Sequence, residues 1–257
     1  SKKIISPDIS NRTNFTLEDG QFYCLNTTYL FVLKDDLSAS YEFVLGVLNS
    51  KLIEFYFAQI SPPLRGGYYR FTRRYVDYIP IVLPKIPAEQ NIADEITKKV
   101  KQILEKVKIE QQIENFPDEY IQEYRSRGEE FGSTNITFKS NHKALEPVIE
   151  EDAASRGYDI VFGKREKPVF VDSAAKADYV VTALKGTRAK KDEKKQILIP
   201  KRDAIVEEIL NNLESDKAQI KSPSVADLED EINGLVYTLY GLNEKDVGVI
   251  EEFLRRF

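Results

Sequence analysis

Between Ala88 and Asn115, the residues Ile92, Ile96, Val100, Ile103, Leu104, Val107 and Gln111 fall on one stripe of a helix. The spacing is near that of a helix hairpin or coiled coil, so this long helix requires a partner to cover its apolar face. Two segments at the far end can supply one. Val225 to Tyr240 places Leu228, Ile232, Leu235, Val236 and Leu239 at helical intervals, and Glu244 to Arg255 follows Asn243, a good N-cap residue. The expectation is an antiparallel helical spine, with residues 116–216 inserted between its parts.

Before the spine, Lys3 to Ile5, Phe22 to Cys24 and Tyr29 to Leu33 read as short strands separated by turn formers, Pro7-Asp8 and Asp19-Gly20. Ser40 is placed to cap a single helix from about Tyr41 to Ile60, which Pro62-Pro63 and Gly66-Gly67 then end. Three prolines, Pro80, Pro84 and Pro87, keep the following stretch extended. Within 116–216, extended stretches are expected at Asn135 to Phe138, Tyr158 to Phe162, Val169 to Val171 and Ile197 to Ile199, and helices near 118–126, 173–185 and 202–214. The predicted class is α+β: a small mixed sheet, a long helical spine and an inserted α+β subdomain. The predicted division is a core with the long helix over 1–115, the insertion over 116–216, and C-terminal helices over 217–257.

Charge is distributed unevenly along this chain of net charge -5. Residues 206–257 hold five basic and twelve acidic residues, whereas 131–205 hold fifteen and eleven, so any polyanion contact belongs outside the acidic helices. One cysteine, Cys24, excludes an internal disulfide framework, and one histidine, His142, excludes a His-rich metal site. A reducing, cytoplasmic setting is expected. No apolar run reaches the roughly 18 to 20 residues of a membrane span, since Asn49, Ser50, Lys51 and Glu54 interrupt the longest. The chain starts at Ser1 and lacks methionine, which suggests a piece of a longer polypeptide.

Catalytic patterns are poor. Ser61-Pro62-Pro63-Leu64 nearly matches the motif with which amino-group methyltransferases grip a flipped base, but Leu64 offers no aromatic face to stack it, and no glycine-rich cofactor loop occurs. A Pro-Pro helix terminator explains it better. Pro117-Asp118 with Glu193-Lys194-Lys195 has the residue types of a metal-dependent nuclease, yet the second group falls in a charged stretch where no strand is expected. Cys24 is expected in the core and His142 at the surface.

Recognition remains. From Arg65 to Arg74 the chain carries Arg65, Arg70, Arg73 and Arg74 interleaved with Tyr68, Tyr69 and Phe71, with Thr72 among them and no acidic residue. Arginine's planar fork grips phosphate or the acceptor edge of guanine, and tyrosine donates to phosphate or stacks on a base. The competing reading buries Tyr69 and Phe71 and pairs the arginines with acidic helices. A second cationic stretch, Lys185 to Lys195, holds six cations in eleven residues; Lys185, Arg188, Lys190 and Lys191 are its phosphate-contact candidates, although by itself it reads as a solvated loop.

Around these residues the chain resembles a known family. Lys3 to Ser10, Leu25 to Tyr29, Leu45 to Leu52 and the run from Tyr69-Arg70-Phe71-Thr72 to Ile79-Pro80-Ile81 are similar to the TaqI-like C-terminal specificity domain, and Leu228 to Leu242 looks like the closing helix of the same proteins. The resemblance extends over roughly 1–115 and 217–257. It implies the target-recognition part of an adenine-specific DNA methyltransferase or a type IIG restriction-modification enzyme. The implied partners are double-stranded DNA and a covalently linked N-terminal methyltransferase domain, which would bind S-adenosylmethionine and carry the catalytic motif; no cofactor and no catalytic residue are expected in these 257 residues. The alternative is a protein-protein interaction module whose acidic helices dock another subunit.

Overall fold

The computed structural model describes residues 2–20, 27–152 and 154–256. The chain forms two compact units: Ser1–Lys106 with Pro223–Phe257, and Val107–Ser222. Elements run in the order β1 (Lys3–Pro7), β2 (Ile9–Ser10), β3 (Thr16–Glu18), β4 (Thr28–Phe31), α1 (Tyr41–Leu48), α2 (Lys51–Ile60), β5 (Tyr69–Arg70), α3 (Arg73–Val76) and α4 (Pro87–Glu114). Then come α5 (Asp118–Ser126), β6 (Phe131–Thr137), β7 (Val148–Asp152), β8 (Gly157–Val161), β9 (Val169–Val171), α6 (Ala174–Leu184), β10 (Lys194–Pro200), α7 (Asp203–Lys221), α8 (Val225–Leu239) and α9 (Glu244–Leu254). The class is α+β as predicted, and the pairings of all these strands are antiparallel where a mixed sheet was expected. The expected strand at Phe22 to Cys24, with the core placement of Cys24 and the Leu25-Asn26 part of the resemblance, lies outside the described residues.

In the first unit, β1 is flanked by β3 and β4, and its alternate residues Ile4 and Ser6 are buried. The helix expected over 41–60 is two helices bent by 60°. The break has a tertiary cause. Asn49 turns its side chain to Phe15, accepting from its N–H (2.9 Å) and donating to its carbonyl (2.8 Å), while Ser50 caps the new helix and Asn233 of α8 accepts from Lys51 N–H at 2.8 Å. No single helix among the described residues is long and apolar enough to cross a membrane.

The antiparallel spine is only partly as expected. Ala93, Ile96 and Val100 of α4 are buried in one core with Ile232, Val236 and Leu239 of α8, and Lys99 pairs with Glu231. Between them lies α1: a Cβ on Gly46 would stand 2.7 Å from Ile96 and 2.9 Å from Val100. α9 packs on α2 instead, with Phe253 set edge-on against Phe55 at 5.2 Å.

The second unit is built from the β6–β10 pair, the β7-β8-β9 meander, α5, α6 and α7. β9 and α5 occupy the predicted positions; β7, with the sequence Val-Ile-Glu-Glu-Asp, was not anticipated because its three consecutive acidic residues obscure the alternation. Buried Ile160, Val171, Val180, Leu184, Ile197 and Val206 form the core. Ser173 caps α6, and Tyr179, fully buried, donates its hydroxyl to the Leu198 carbonyl at 3.1 Å.

Candidate nucleic-acid interface

In the arginine-rich stretch, Leu64 and Tyr68 close a tight turn (Leu64 N–H to Tyr68 O, 2.7 Å), and Gly66 and Gly67 at its tip have φ of 87° and 78°, a left-handed conformation that glycine adopts without strain. The chain then enters β5, which pairs Ile9 with Arg70 and Ser10 with Tyr69, and Phe71 N–H continues the pairing by donating to Asp8 O at 2.8 Å. Alternation along an extended chain decides what faces where. Phe71 is buried, stacked parallel on Phe57 at 4.3 Å and edge-on to Phe15 at 5.9 Å; half-buried Tyr69 packs on the same core, and Arg70 faces outward. Thr72 then occupies the N-cap position of α3 without a side-chain capping bond, its carbonyl accepting from Tyr75 and Val76.

Arg65, Tyr68, Arg70, Arg73 and Arg74 are exposed. Arg70 lies 3.7 Å from the Asp8 carboxylate and Arg73 3.0 Å from that of Asp77, one turn away. Arg65 and Arg74 have no ion-pair partner among the described residues, and Arg74 lies over the Tyr75 ring, 5.8 Å from its centre. Exposed pairs such as these contribute about 0–1 kcal/mol, so Arg70 and Arg73 can exchange these carboxylates for another anion at little cost. The acidic partners are local loop residues, Asp8 and Asp77, and not the acidic helices of the competing reading.

Lys185, Arg188, Lys190 and Lys191 lie in the second unit, all exposed. Their segment is not the solvated loop suggested by its composition. It extends the β6–β10 ladder: Phe138 N–H donates to Glu193 O (3.0 Å), Asp192 N–H to Phe138 O (2.8 Å), His142 and Ala189 exchange both backbone bonds, and Lys191 N–H donates to Asn141 Oδ1 (2.8 Å). Charge counting along the sequence cannot see a ladder whose partner strand lies 50 residues away.

The structure places two further motifs. Ser61 is 2% exposed at the end of α2, so its hydroxyl is not available to a flipped base, while Leu64 is exposed beside it. Lys194 opens β10, so the Glu193-Lys194-Lys195 group does have a strand, contrary to expectation. Its side chains are occupied structurally: Lys195 Nζ donates to the Ala183 carbonyl (3.1 Å) and Thr187 Oγ1 (3.3 Å), and Glu193 accepts from Lys190 N–H (2.8 Å). Burial lowers the Lys195 pKa against the opposing pull of Asp118 and Glu193. No group of three or more His, Cys, Asp or Glu among the described residues is arranged to hold a metal ion.

His142, expected at the surface, is instead mostly covered. Its Nε2 lies 2.8 Å from Glu166 Oε1. The Glu166 carboxylate, 1% exposed, also accepts from Lys139 N–H (2.8 Å), Ser140 N–H (3.1 Å) and Ser140 Oγ (2.7 Å). Burial works to raise its pKa, and these bonds outweigh burial and hold it at about 2. Nothing in the local sequence Lys-Arg-Glu-Lys signals this; Glu166 reads there as one charge among solvated ones.

The exposed guanidinium groups and the Tyr68 phenol thus lie on a tight turn, a short strand and one helical turn, above the stacked Phe57 and Phe71 rings. Residues 1–81 match the family model of the TaqI-like C-terminal specificity domain. The match supports a DNA-recognition role in restriction-modification systems, and it contains the whole Arg65–Arg74 stretch. It ends before α4 and does not extend to the Leu228 to Leu242 part of the resemblance. No curated protein and no solved structure matches the chain.

Proposed function

We propose that the chain is the target-recognition part of a site-specific adenine DNA methyltransferase, of the type IIG restriction-modification kind, and that the Arg65–Arg74 stretch docks it on duplex DNA. One observation carries this reading: Phe71 is locked against Phe57 while Arg65, Tyr68, Arg70, Arg73 and Arg74 around it are exposed. A side chain so anchored supports phosphate contacts of fixed register, which is what placing one base for chemistry requires. In this reading a covalently linked N-terminal domain binds S-adenosylmethionine and performs the transfer, in the cytoplasm. Net charge of -5 does not oppose the reading, because binding answers to the local surface.

The test is a salt titration of duplex binding. Arg65→Ala with Arg74→Ala removes the two guanidinium groups that have no carboxylate partner, and the slope of log affinity against log salt is expected to become shallower by about 2, at about 0.9 per phosphate contact. Unchanged affinity and slope would remove the stretch from the interface.

A further inference from the structure

The second unit lies outside the family match, and part of its cationic surface forms a cleft. Asn141, His142 and Lys143 on one side, and Arg188, Lys190 and Glu193 on the other, line an open cleft of about 630 Å³. Lys143, Arg188 and Lys190 are exposed, and none of them takes part in an ion pair among the described residues. Glu193 is the one acid in the lining, and it already accepts from Lys190 N–H.

Both walls are stiff. The His142–Ala189 backbone exchange and the Lys191–Asn141 bond hold them together, and Leu145 N–H to Thr187 O (3.0 Å) with Gly186 N–H to Leu145 O (2.8 Å) continue the ladder. Beneath one wall sits the Glu166 carboxylate, which fixes Lys139, Ser140 and His142 in a single arrangement. Cations on a fixed scaffold bind without the entropy loss of ordering a loop. An unpaired cluster on a rigid cleft suits a row of phosphates, and an acidic protein segment is the other polyanion it can meet.

We infer that this cleft is a second contact for the DNA phosphate backbone, with Lys143, Arg188 and Lys190 as its phosphate ligands and Glu166 as the positioning residue that holds its wall. The inference rests on the DNA-recognition reading above and extends it to a unit that the specificity family does not include.

His142, the chain's single histidine, is a built-in reporter. A mixed-sequence duplex of about 20 base pairs, roughly two helical turns, is titrated into the full chain while the imidazole signals are followed by NMR and affinity is measured against salt. The His142 signals are expected to shift on binding. Lys143→Ala, Arg188→Ala and Lys190→Ala together should abolish that shift and make the salt slope shallower by about 2–3, with unchanged circular dichroism because the three side chains are exposed. Glu166→Gln should shallow the slope as well, an effect that loss of stability alone does not produce. If the duplex binds while the His142 signals stay still and the triple variant keeps the wild-type slope, the cleft is overturned and recognition through Arg65–Arg74 stands. If no duplex binds in low salt, both readings fall. If poly-glutamate moves the His142 signals and DNA does not, the cleft serves an acidic protein and the inference is wrong.

Discussion

Replacing Phe71 by alanine tests the mechanical basis of the recognition surface. The side chain is 1% exposed, stacked on Phe57 at 4.3 Å and edge-on to Phe15 at 5.9 Å. Removing a buried phenylalanine costs about 3–5 kcal/mol, of which about 0.5–1.5 kcal/mol is aromatic pairing beyond area burial. Against a typical total of about 5–15 kcal/mol the first unit should remain folded but be greatly weakened. The loss should concentrate where Phe71 acts as an anchor, so the amides of Phe71, Tyr75 and Val76, bonded to Asp8 O, Thr72 O and Thr72 O, should lose hydrogen-exchange protection. Urea unfolding gives the total; exchange, read separately over the two units, gives its location. A double variant with Phe57→Ala should cost less than the sum of the single losses, because both remove the same stack. A destabilisation below about 1 kcal/mol, the ordinary cost of a surface-to-moderate substitution, or additive losses, would refute the claim that this stack holds the arginines in register.

Two more perturbations test the packing and the buried carboxylate. Gly46→Ala places a methyl group 2.7 Å from Ile96 and 2.9 Å from Val100, branched side chains held on α4, so it should destabilise by about 1–3 kcal/mol even though alanine is favoured over glycine in a helix interior by about 1 kcal/mol; thermal melting that shows a gain would refute the α1–α4 contact. Glu166 is held at about 2 in the fold against 4.5 for a free carboxyl, so the unfolded chain takes up its proton first as pH falls. Its contribution, on the order of 3 kcal/mol at about 1.36 kcal/mol per pKa unit, is fully present well above pH 4.5 and is lost as pH falls toward 2. Glu166→Gln should therefore lower stability at neutral pH and flatten the acid limb of the stability curve, and a curve parallel to that of the wild type would contradict the assignment.

Periodicity and punctuation determined much of this protein from the sequence alone: the α4 stripe from Ile92 to Leu104, beyond which Val107 and Gln111 are exposed and Ile109 is buried instead, the α8 pattern, the caps at Ser40 and Asn243, the α5 and β9 positions, and the basic, aromatic stretch with no acid in it. These are local properties, carried by residues within a few positions of one another. The chain is silent where the partner is distant. Asn49 and Asn233 break and recap the 41–60 helix through bonds to Phe15 and Lys51, so a run that reads as one helix becomes two. The cationic stretch 185–195 is ordered by pairing with 138–145, and Glu166 gains its role only when Ser140 and His142 are brought to it. The arginines were visible as a string; that Arg70 faces out while Phe71 is buried was decided by the two-residue pairing with Ile9 and Ser10 and by the Phe57 ring waiting beneath. Hydrogen bonds and ring contacts across tens of residues have no signature in local spacing, and they decide which charges meet solvent.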